Sequence, residues 1–194
     1  MSVEIKICGL TRRADVELAV SLGANHVGFV IYPGSRRFVP PERLPELTRG
    51  LPPHVGKVGV FVDATRDEIL RAAELGGLDI VQLHGHESAD FALSLGFPRV
   101  WKATYDRDFP AERLVCDAPS GGSGKFGDHV KAAELARQRP VMLAGGITPL
   151  NAAALIARVG PAGIDLAGGV ESAPGVKDEF KMRQLFQNVK GNTL

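Results

Sequence analysis

Short apolar runs alternate with longer amphipathic segments along the whole chain. The runs are rich in valine, isoleucine and leucine, as expected for parallel strands that are buried on both faces. They predict strands near 3–8, 26–31, 56–61, 79–83, 98–103, 112–116, 140–144 and 163–167. Parallel strands need crossover connections, so this repeat in 194 residues favours an α/β fold, a single-domain (βα)8 barrel over residues 1–194. An open doubly wound sheet is the competing fold.

Apolar residues at helical spacing predict helices near 12–22, 65–75, 149–158 and 178–189. Gly23 is a suitable residue to follow the end of the first of these helices. Thr65 and Glu68 have the spacing of a capping box at the start of the next. In the third, Thr148 is the expected cap and Pro149 the first helical residue.

Two crossovers depart from the regular pattern. Pro45 interrupts the second helical segment, which we expect to be shortened or bent at that point. Residues 104–111 are too few for a full helix, so the fifth helix is predicted to be reduced or absent.

Composition and charge exclude several classes of protein. Hydrophobic residues make up 44% and charged residues 23% of the chain, as in a globular domain. The net charge is +1 with basic and acidic residues well mixed, so neither a nucleic-acid nor a membrane partner is expected. The chain shows no leader or long apolar span, so we expect a cytoplasmic protein whose two cysteines, Cys8 and Cys116, are free thiols.

Barrel enzymes build their sites from the carboxyl ends of the strands and the loops that follow. The polar and glycine positions at those places are Cys8, Arg36, Arg37, Asp63, Gln82, His84, Lys102, Asp117, Gly145, Gly146, Gly168 and Gly169. The four glycines follow strands 7 and 8, where such barrels usually bind phosphate through backbone N–H groups. Ordinary tight turns are the other interpretation of these glycines. The run at 121–124 is predicted to be a mobile loop, with or without a role in ligand binding.

Side-chain alternation indicates which of these candidates point into the barrel. Cys8 shares a side of strand 1 with Lys6, and the thiol faces the barrel mouth if the neighbouring isoleucines pack on helices. Taken alone, Cys8 could equally be a small buried hydrophobe. Asp117 ends strand 6 and could instead serve as a cap or turn residue, while Cys116 faces the helical layer. Gln82 and His84 share an inward face, and the histidines of the chain show no metal-ligand spacing.

The ordered motifs resemble the family of phosphoribosylanthranilate isomerases over nearly the whole chain. They are KICGLT at 6–11, GFV at 28–30, PGSRR at 33–37, VGVF at 58–61, VQLHG at 81–85, GGSGKF at 121–126, AGGI at 144–147 and GVE at 169–171. Proline, glycine, lysine and aspartate at 174–178 complete the set. This resemblance implies an isomerase of tryptophan biosynthesis that carries out an Amadori rearrangement of N-(5′-phosphoribosyl)anthranilate. It implies no cofactor and no metal.

The resemblance also implies roles for individual residues. Asp117 matches the general acid that protonates the ring oxygen, and Cys8 matches the general base that removes the C2′ proton. The acid must hold a proton near neutral pH, and the base needs a positive setting that lowers the pKa of its thiol. Arg37 matches the arginine that binds the anthranilate carboxylate. Further substrate contacts are expected from Gln82, His84, Asp165, Gly145, Gly146, Gly168 and Gly169.

The chain departs from the family pattern at two places. Ala167 and Gly168 stand where a serine pair is usual, which leaves only backbone N–H groups for the phosphate. The loop after strand 6 is short, and residues 126–129 differ from the usual ending. Two other functions compete: a phosphosugar isomerase that uses paired aspartates, which Cys8 on strand 1 disfavours, and a binding barrel without turnover. The sequence leaves the oligomeric state open between monomer and homodimer.

Overall fold

Eight parallel strands close into a barrel in the computed structural model, which describes residues 3–117 and 127–191. The strands are β1 Glu4–Ile7, β2 His26–Val30, β3 Gly56–Phe61, β4 Ile80–Leu83, β5 Val100–Ala103, β6 Arg113–Cys116, β7 Val141–Leu143 and β8 Gly163–Leu166. Neighbours in sequence are neighbours in the sheet, and β8 pairs with β1 through Ile164 and Ile5 to close it. The predicted (βα)8 barrel is therefore confirmed, and the open sheet is excluded. The extension of one domain over 1–194 stays a prediction.

Alternation along the strands creates two apolar layers. Ile5 and Ile7 on β1 belong to the large cluster between strands and helices, together with Cys116 on β6. The barrel interior holds a smaller cluster of Val58, Ile80, Trp101, Val115, Met142 and Ala144. Because Ile5 and Ile7 point outward, Lys6 points inward, as the alternation predicted.

Helices cover the outside of the barrel. They are α1 Arg13–Ser21, α2 Leu44–Thr48, α3 Arg66–Gly76, α4 Ala89–Ser94, α5 His129–Ala136, α6 Ala152–Val159 and α7 Glu179–Lys190. The capping box predicted at the start of α3 is present, since Thr65 and Glu68 each accept from the other's backbone N–H. Gly23 follows α1 with φ 87°, the left-handed conformation expected after a helix end.

The shortening expected for the second helix is confirmed, whereas the expected start of the helix after β7 is wrong. A 3₁₀ turn at Pro41–Arg43 precedes the short α2, so Pro45 lies in the first turn, where its missing N–H is tolerated. The predicted start of α6 at Pro149 is wrong, because residues 149–151 form a turn and the helix begins at Ala152. In this turn the Oδ1 of Asn151 accepts from the N–H of Thr148 at 2.7 Å.

The fifth crossover contains no helix, as predicted; every residue between β5 and β6 is described. Arg139 takes over part of the role of the missing helix by donating to the carbonyls of Arg107 at 2.6 Å, of Phe109 at 2.9 Å and of Ala111. Phe109 is buried beneath this loop. One arginine thus satisfies carbonyl groups that a helix would have paired internally.

No helix in the described ranges is long and apolar enough to cross a membrane.

Candidate active site

A cavity of about 660 Å³ opens at the carboxyl ends of the barrel strands. Its lining includes all ten residues predicted for the site: Cys8, Arg37, Gln82, His84, Asp117, Gly145, Gly146, Asp165, Gly168 and Gly169. Asp63 and Lys102 do not line it. Asp63 turns away to accept from His86, and Lys102 lies under the loop after β4, where it donates to Glu87 at 2.6 Å.

Cys8 lies beside a buried ion pair on the cavity floor. Lys6 is fully buried and donates to Asp165 at 2.7 Å. Gly28 on β2 makes room for this arrangement, because a Cβ at that position would lie 3.0 Å from both the Cys8 Sγ and the Lys6 Cε. The ammonium group and the thiol are therefore neighbours, brought together by alternation on β1 and by a glycine on β2.

Burial and neighbouring charges act in opposite directions on the pKa of the Cys8 thiol. Burial raises the pKa of Cys8, and the charges of Lys6 and Lys177 act in the opposite direction without overcoming it. The positive setting that the chemistry requires is therefore present, while the pKa of Cys8 in this structure lies above its ordinary value. The pKa of Lys6 is itself raised: burial lowers it, but Asp165 and Cys8 raise it by more. Lys6 remains an ammonium group and favours the thiolate whenever it forms.

Asp165 offers a free acceptor to the cavity. Its Oδ2 is occupied by Lys6, whereas Oδ1 is buried and has no hydrogen-bond partner among the described residues. A buried, unpaired carboxylate oxygen is costly unless something else donates to it. A ligand hydroxyl group in the cavity would satisfy it.

Asp117 ends β6 and is linked to two polar residues on β4. His84 Nε2 lies 3.4 Å from Asp117 Oδ2, and His84 Nδ1 lies 3.1 Å from Gln82 Nε2. Gln82, His84 and Asp117 therefore form one line of polar contacts at this side of the cavity. Tyr105 fixes the backbone here, since its hydroxyl donates to the Asp117 carbonyl at 3.1 Å. Burial raises the pKa of Tyr105 to about 12, so its hydroxyl stays a donor.

The glycine loops after β7 and β8 lie against each other. Gly145 and Gly146 have φ angles of 81° and 63°, the left-handed conformation that favours glycine. The Asn151 Nδ2 donates to the Gly146 carbonyl at 3.0 Å and holds this loop. A Cβ on Gly169 would lie 1.8 Å from the Ile147 carbonyl oxygen, so this contact requires glycine.

The structure also shows the short helix that such phosphate sites use. A 3₁₀ turn at Gly168–Val170 follows β8 and starts at the cavity. Backbone N–H groups at the start of a helical turn bind anions. The loop predicted at 121–124 lies outside the described residues.

Arg37 reaches the cavity from the loop after β2 and is paired with Glu171. Its Nε and Nη2 donate to the two carboxylate oxygens at 2.9 and 2.7 Å. Glu171 begins a small hairpin made of β9 Glu171–Ala173 and β10 Val176–Lys177. The Lys177 ammonium group, also fully buried, donates to Glu171 at 2.9 Å and to the Cys8 carbonyl at 2.6 Å.

Lys6, Glu171 and Lys177 were not among the predicted site residues. The signal for Lys6 was present, because a lysine in a buried apolar strand must have a partner. Glu171 and Lys177 lie in two of the motifs that carry the resemblance, but their partners Arg37 and Cys8, 134 and 169 residues away in sequence, could not be deduced from those motifs. Among residues 3–117 and 127–191, no three metal-ligating side chains cluster.

A thiol, a carboxylate and two glycine loops that face one cavity can support acid–base chemistry on a small phosphorylated molecule. The class of protein is therefore a (βα)8-barrel enzyme. Residues 5–188 match the model of the family described as N-(5'phosphoribosyl)anthranilate (PRA) isomerase. The chain belongs to this family, and it is an isomerase of tryptophan biosynthesis.

Individual relatives agree with this assignment. The N-(5'-phosphoribosyl)anthranilate isomerase of Chromohalobacter salexigens is 43% identical, over 95% of this chain and 93% of the relative. The crystal structure of the Thermus thermophilus enzyme superposes with a TM-score of 0.92 at 42% identity, covering 97% of this chain and 98% of that one. Another isomerase, solved in complex with reduced 1-(o-carboxyphenylamino)-1-deoxyribulose 5-phosphate, has a TM-score of 0.85 at 32% identity, covering 97% and 99% of the two chains.

Proposed function

We propose that this chain converts N-(5′-phosphoribosyl)anthranilate to 1-(2-carboxyphenylamino)-1-deoxyribulose 5-phosphate with Asp117 as general acid and Cys8 as general base. Asp117 donates a proton to the furanose ring oxygen, and the ring opens to a Schiff base. Cys8 then removes the C2′ proton, which gives an enolamine that tautomerises to the ketone. Each group is expected to contribute about 10² to 10⁴ in rate.

The observation that carries this proposal is the placement of the two groups around one cavity. Cys8 follows β1 and Asp117 follows β6, so they approach the cavity from different sides of the barrel. The cavity of about 660 Å³ has the size of a small-molecule site. A substrate lying between them would present its ring oxygen to one group and its C2′ proton to the other.

The charges around Cys8 support its role as base. The reaction needs the proton on Asp117 and the thiol ionised, although burial raises the pKa of Cys8. Lys6 and Lys177 supply positive charge next to the thiol, and this stabilises the thiolate when the proton leaves.

The remaining cavity residues suit the other parts of the substrate. Gly145, Gly146, Gly168 and Gly169 would bind the phosphate through backbone N–H groups, without the hydroxyl groups of a serine pair. Arg37 would bind the anthranilate carboxylate. Gln82 and His84 would contact the substrate next to Asp117, and the free Oδ1 of Asp165 would accept from a ribose hydroxyl.

The test is a fluorescence assay in which phosphoribosylanthranilate is generated in situ and its disappearance is followed. The wild type should consume the substrate, while Cys8→Ala and Asp117→Asn should lose activity by several orders of magnitude. Cys116→Ala is the matched control, because that thiol is buried in the layer between strands and helices. A wild type that binds the substrate without turning it over would contradict the proposal and favour the binding-barrel alternative.

We also propose a cytoplasmic location, in keeping with two cysteines that are unpaired in the structure. The prediction of a monomer or a homodimer would be decided by light scattering during size-exclusion chromatography.

A further inference from the structure

We propose that Glu171 is a positioning residue of this site: it orients Arg37 so that one edge of the guanidinium group faces the substrate carboxylate. This inference rests on the carboxylate-binding role proposed for Arg37. Glu171 begins the hairpin of β9 and β10 and does not itself line the cavity.

The geometry of the pair determines which edge of Arg37 is available. A guanidinium group carries five N–H donors in one plane. Glu171 accepts from Nε at 2.9 Å and from Nη2 at 2.7 Å, which occupies the side edge of the group. The end edge keeps one Nη1 donor and the second Nη2 donor, enough for a bidentate contact with a second carboxylate.

The rest of the Arg37 side chain is also confined. Gly9, at φ +68°, lies beneath it, because a Cβ there would be 2.4 Å from the Arg37 Cδ. Gly168 lies on another side, with its Cβ position 3.4 Å from Arg37 Nη2. The stem therefore lies against Gly9 and the guanidinium group lies beside Gly168, while the hydrogen bonds that set the direction of the guanidinium group come from Glu171.

Glu171 is in turn held in a fixed position relative to Cys8. Its Oε1 accepts from Lys177 Nζ at 2.9 Å and from the Gly175 N–H at 3.2 Å. The same Lys177 ammonium group donates to the Cys8 carbonyl at 2.6 Å. The chain of contacts from Arg37 through Glu171 and Lys177 ends at the backbone of Cys8.

The carboxylate of Glu171 is ionised in this setting. Burial raises its pKa, but the contacts with Arg37 and Lys177 lower it by more, so the pKa lies below its ordinary value. The negative charge of Glu171 therefore offsets one of the two positive charges, on Arg37 and Lys177, that it contacts. Without Glu171, the guanidinium group of Arg37 would keep its charge but would be free to turn away from the edge of the cavity.

The experiment compares two ligands that differ only in the group that Arg37 would bind. The first is reduced 1-(o-carboxyphenylamino)-1-deoxyribulose 5-phosphate, and the second is its anilino counterpart without the carboxylate. Dissociation constants for both are measured by calorimetry on the full chain. The ratio of the two constants reports on the carboxylate contact, and a general loss of folded structure does not change it.

The variants are Glu171→Gln, Arg37→Ala and the matched control Glu4→Gln. Glu4 is also a glutamate in a two-pronged pair with an arginine, Arg113, but it lies at the opposite end of the barrel. Glu171→Gln should reduce the preference for the carboxylated ligand about tenfold, while affinity for the anilino ligand changes little. Glu4→Gln should keep the wild-type ratio.

Two outcomes separate the possible failures. If Glu171→Gln weakens both ligands equally, or neither, Glu171 does not position Arg37 and this inference is overturned. If Arg37→Ala keeps the preference for the carboxylated ligand, the proposed role of Arg37 itself fails. Should Glu171→Gln not fold, Glu171→Asp serves instead: it keeps the charge for Lys177, draws the carboxylate away from Arg37, and should lose part of the preference.

Discussion

Replacing Lys6 with methionine removes the buried ammonium group but keeps an unbranched chain of similar length. Lys6 is fully buried and its partner Asp165 is 8% exposed, with 2.7 Å between Nζ and Oδ2. The substitution therefore leaves a buried carboxylate without its cation and opens little empty space. Its effect on stability reports the ion pair rather than a cavity.

The loss of stability can be estimated from the geometry. At 2.7 Å and an effective dielectric constant of about 20, the gross attraction is about 6 kcal/mol. Desolvation of the two charges offsets part of this, and removing one partner of a buried pair typically costs about 3–5 kcal/mol. For a domain of this size, that corresponds to a fall in Tm of about 6 to 20 °C.

The same substitution should change the reactivity of the Cys8 thiol. Burial raises the pKa of Cys8 and Lys6 opposes this rise, so Lys6→Met should raise the pKa further. Alkylation of Cys8 by iodoacetamide, located by mass spectrometry across a pH series, should then begin at higher pH than in the wild type. Cys116 is an internal control, because burial raises its pKa to about 12 and it should stay unmodified.

Two further variants complete the test. Lys57→Met removes one partner of an exposed pair with Asp79 and should cost about 0–1 kcal/mol. The double variant Lys6→Met/Asp165→Leu should recover most of the lost stability, because no unpaired charge is left. A Lys6→Met protein that matches Lys57→Met in urea unfolding, with an unchanged alkylation profile, would refute the reasoning.

Three other predictions follow from the structure. Gly169→Ala should separate the two glycine loops, because its Cβ would lie 1.8 Å from the Ile147 carbonyl oxygen. We expect kcat/KM to fall about 10²-fold, and an unchanged kcat/KM would contradict the close contact of the loops. Burial raises the pKa of Glu4, but contacts with Arg113 and other groups lower it by more, so the pKa lies below its ordinary value of 4.5 in the folded protein. The contribution of Glu4 to stability is therefore present above pH 4.5 and is lost as the pH falls through the folded-state pKa. Urea unfolding at a series of pH values should therefore show a shallower acid loss for Glu4→Gln, and equal slopes would contradict this. Thr65→Ala should cost about 0.5–2 kcal/mol in urea unfolding by removing the capping box of α3, and no measurable loss would contradict that role.

Local patterns account for much of what the sequence predicted correctly. The eight strands follow from short apolar runs, and the α3 capping box follows from Thr65 and Glu68, because both depend on residues close together in the chain. The inward direction of Lys6 follows from simple alternation along β1. The predicted start of α6 at Pro149 was wrong because residues 149–151 form a turn, and the spacing of apolar residues does not show where such a turn passes into a helix.

The electrostatics of the site depend on long-range contacts that local patterns do not contain. Arg37 was expected to bind the substrate carboxylate, and in the structure Glu171, 134 residues away in sequence, already occupies one edge of its guanidinium group. The sequence also did not show how deeply Cys8 is buried, and this burial raises its pKa by more than the two cations lower it. The ten predicted residues nevertheless line one cavity, since the carboxyl ends of barrel strands necessarily meet there.

The central claim is that Asp117 and Cys8 act in different steps of one reaction. It is tested most directly by the primary kinetic isotope effect with substrate deuterated at C2′, measured on the residual activity of Asp117→Asn and Cys8→Ala. Cys8→Ala should show a large isotope effect, because removal of the C2′ proton limits its rate. Asp117→Asn should show an isotope effect close to unity, because ring opening limits its rate and breaks no C–H bond. Equal isotope effects in the two variants, or the reverse order, would contradict the assignment of base and acid.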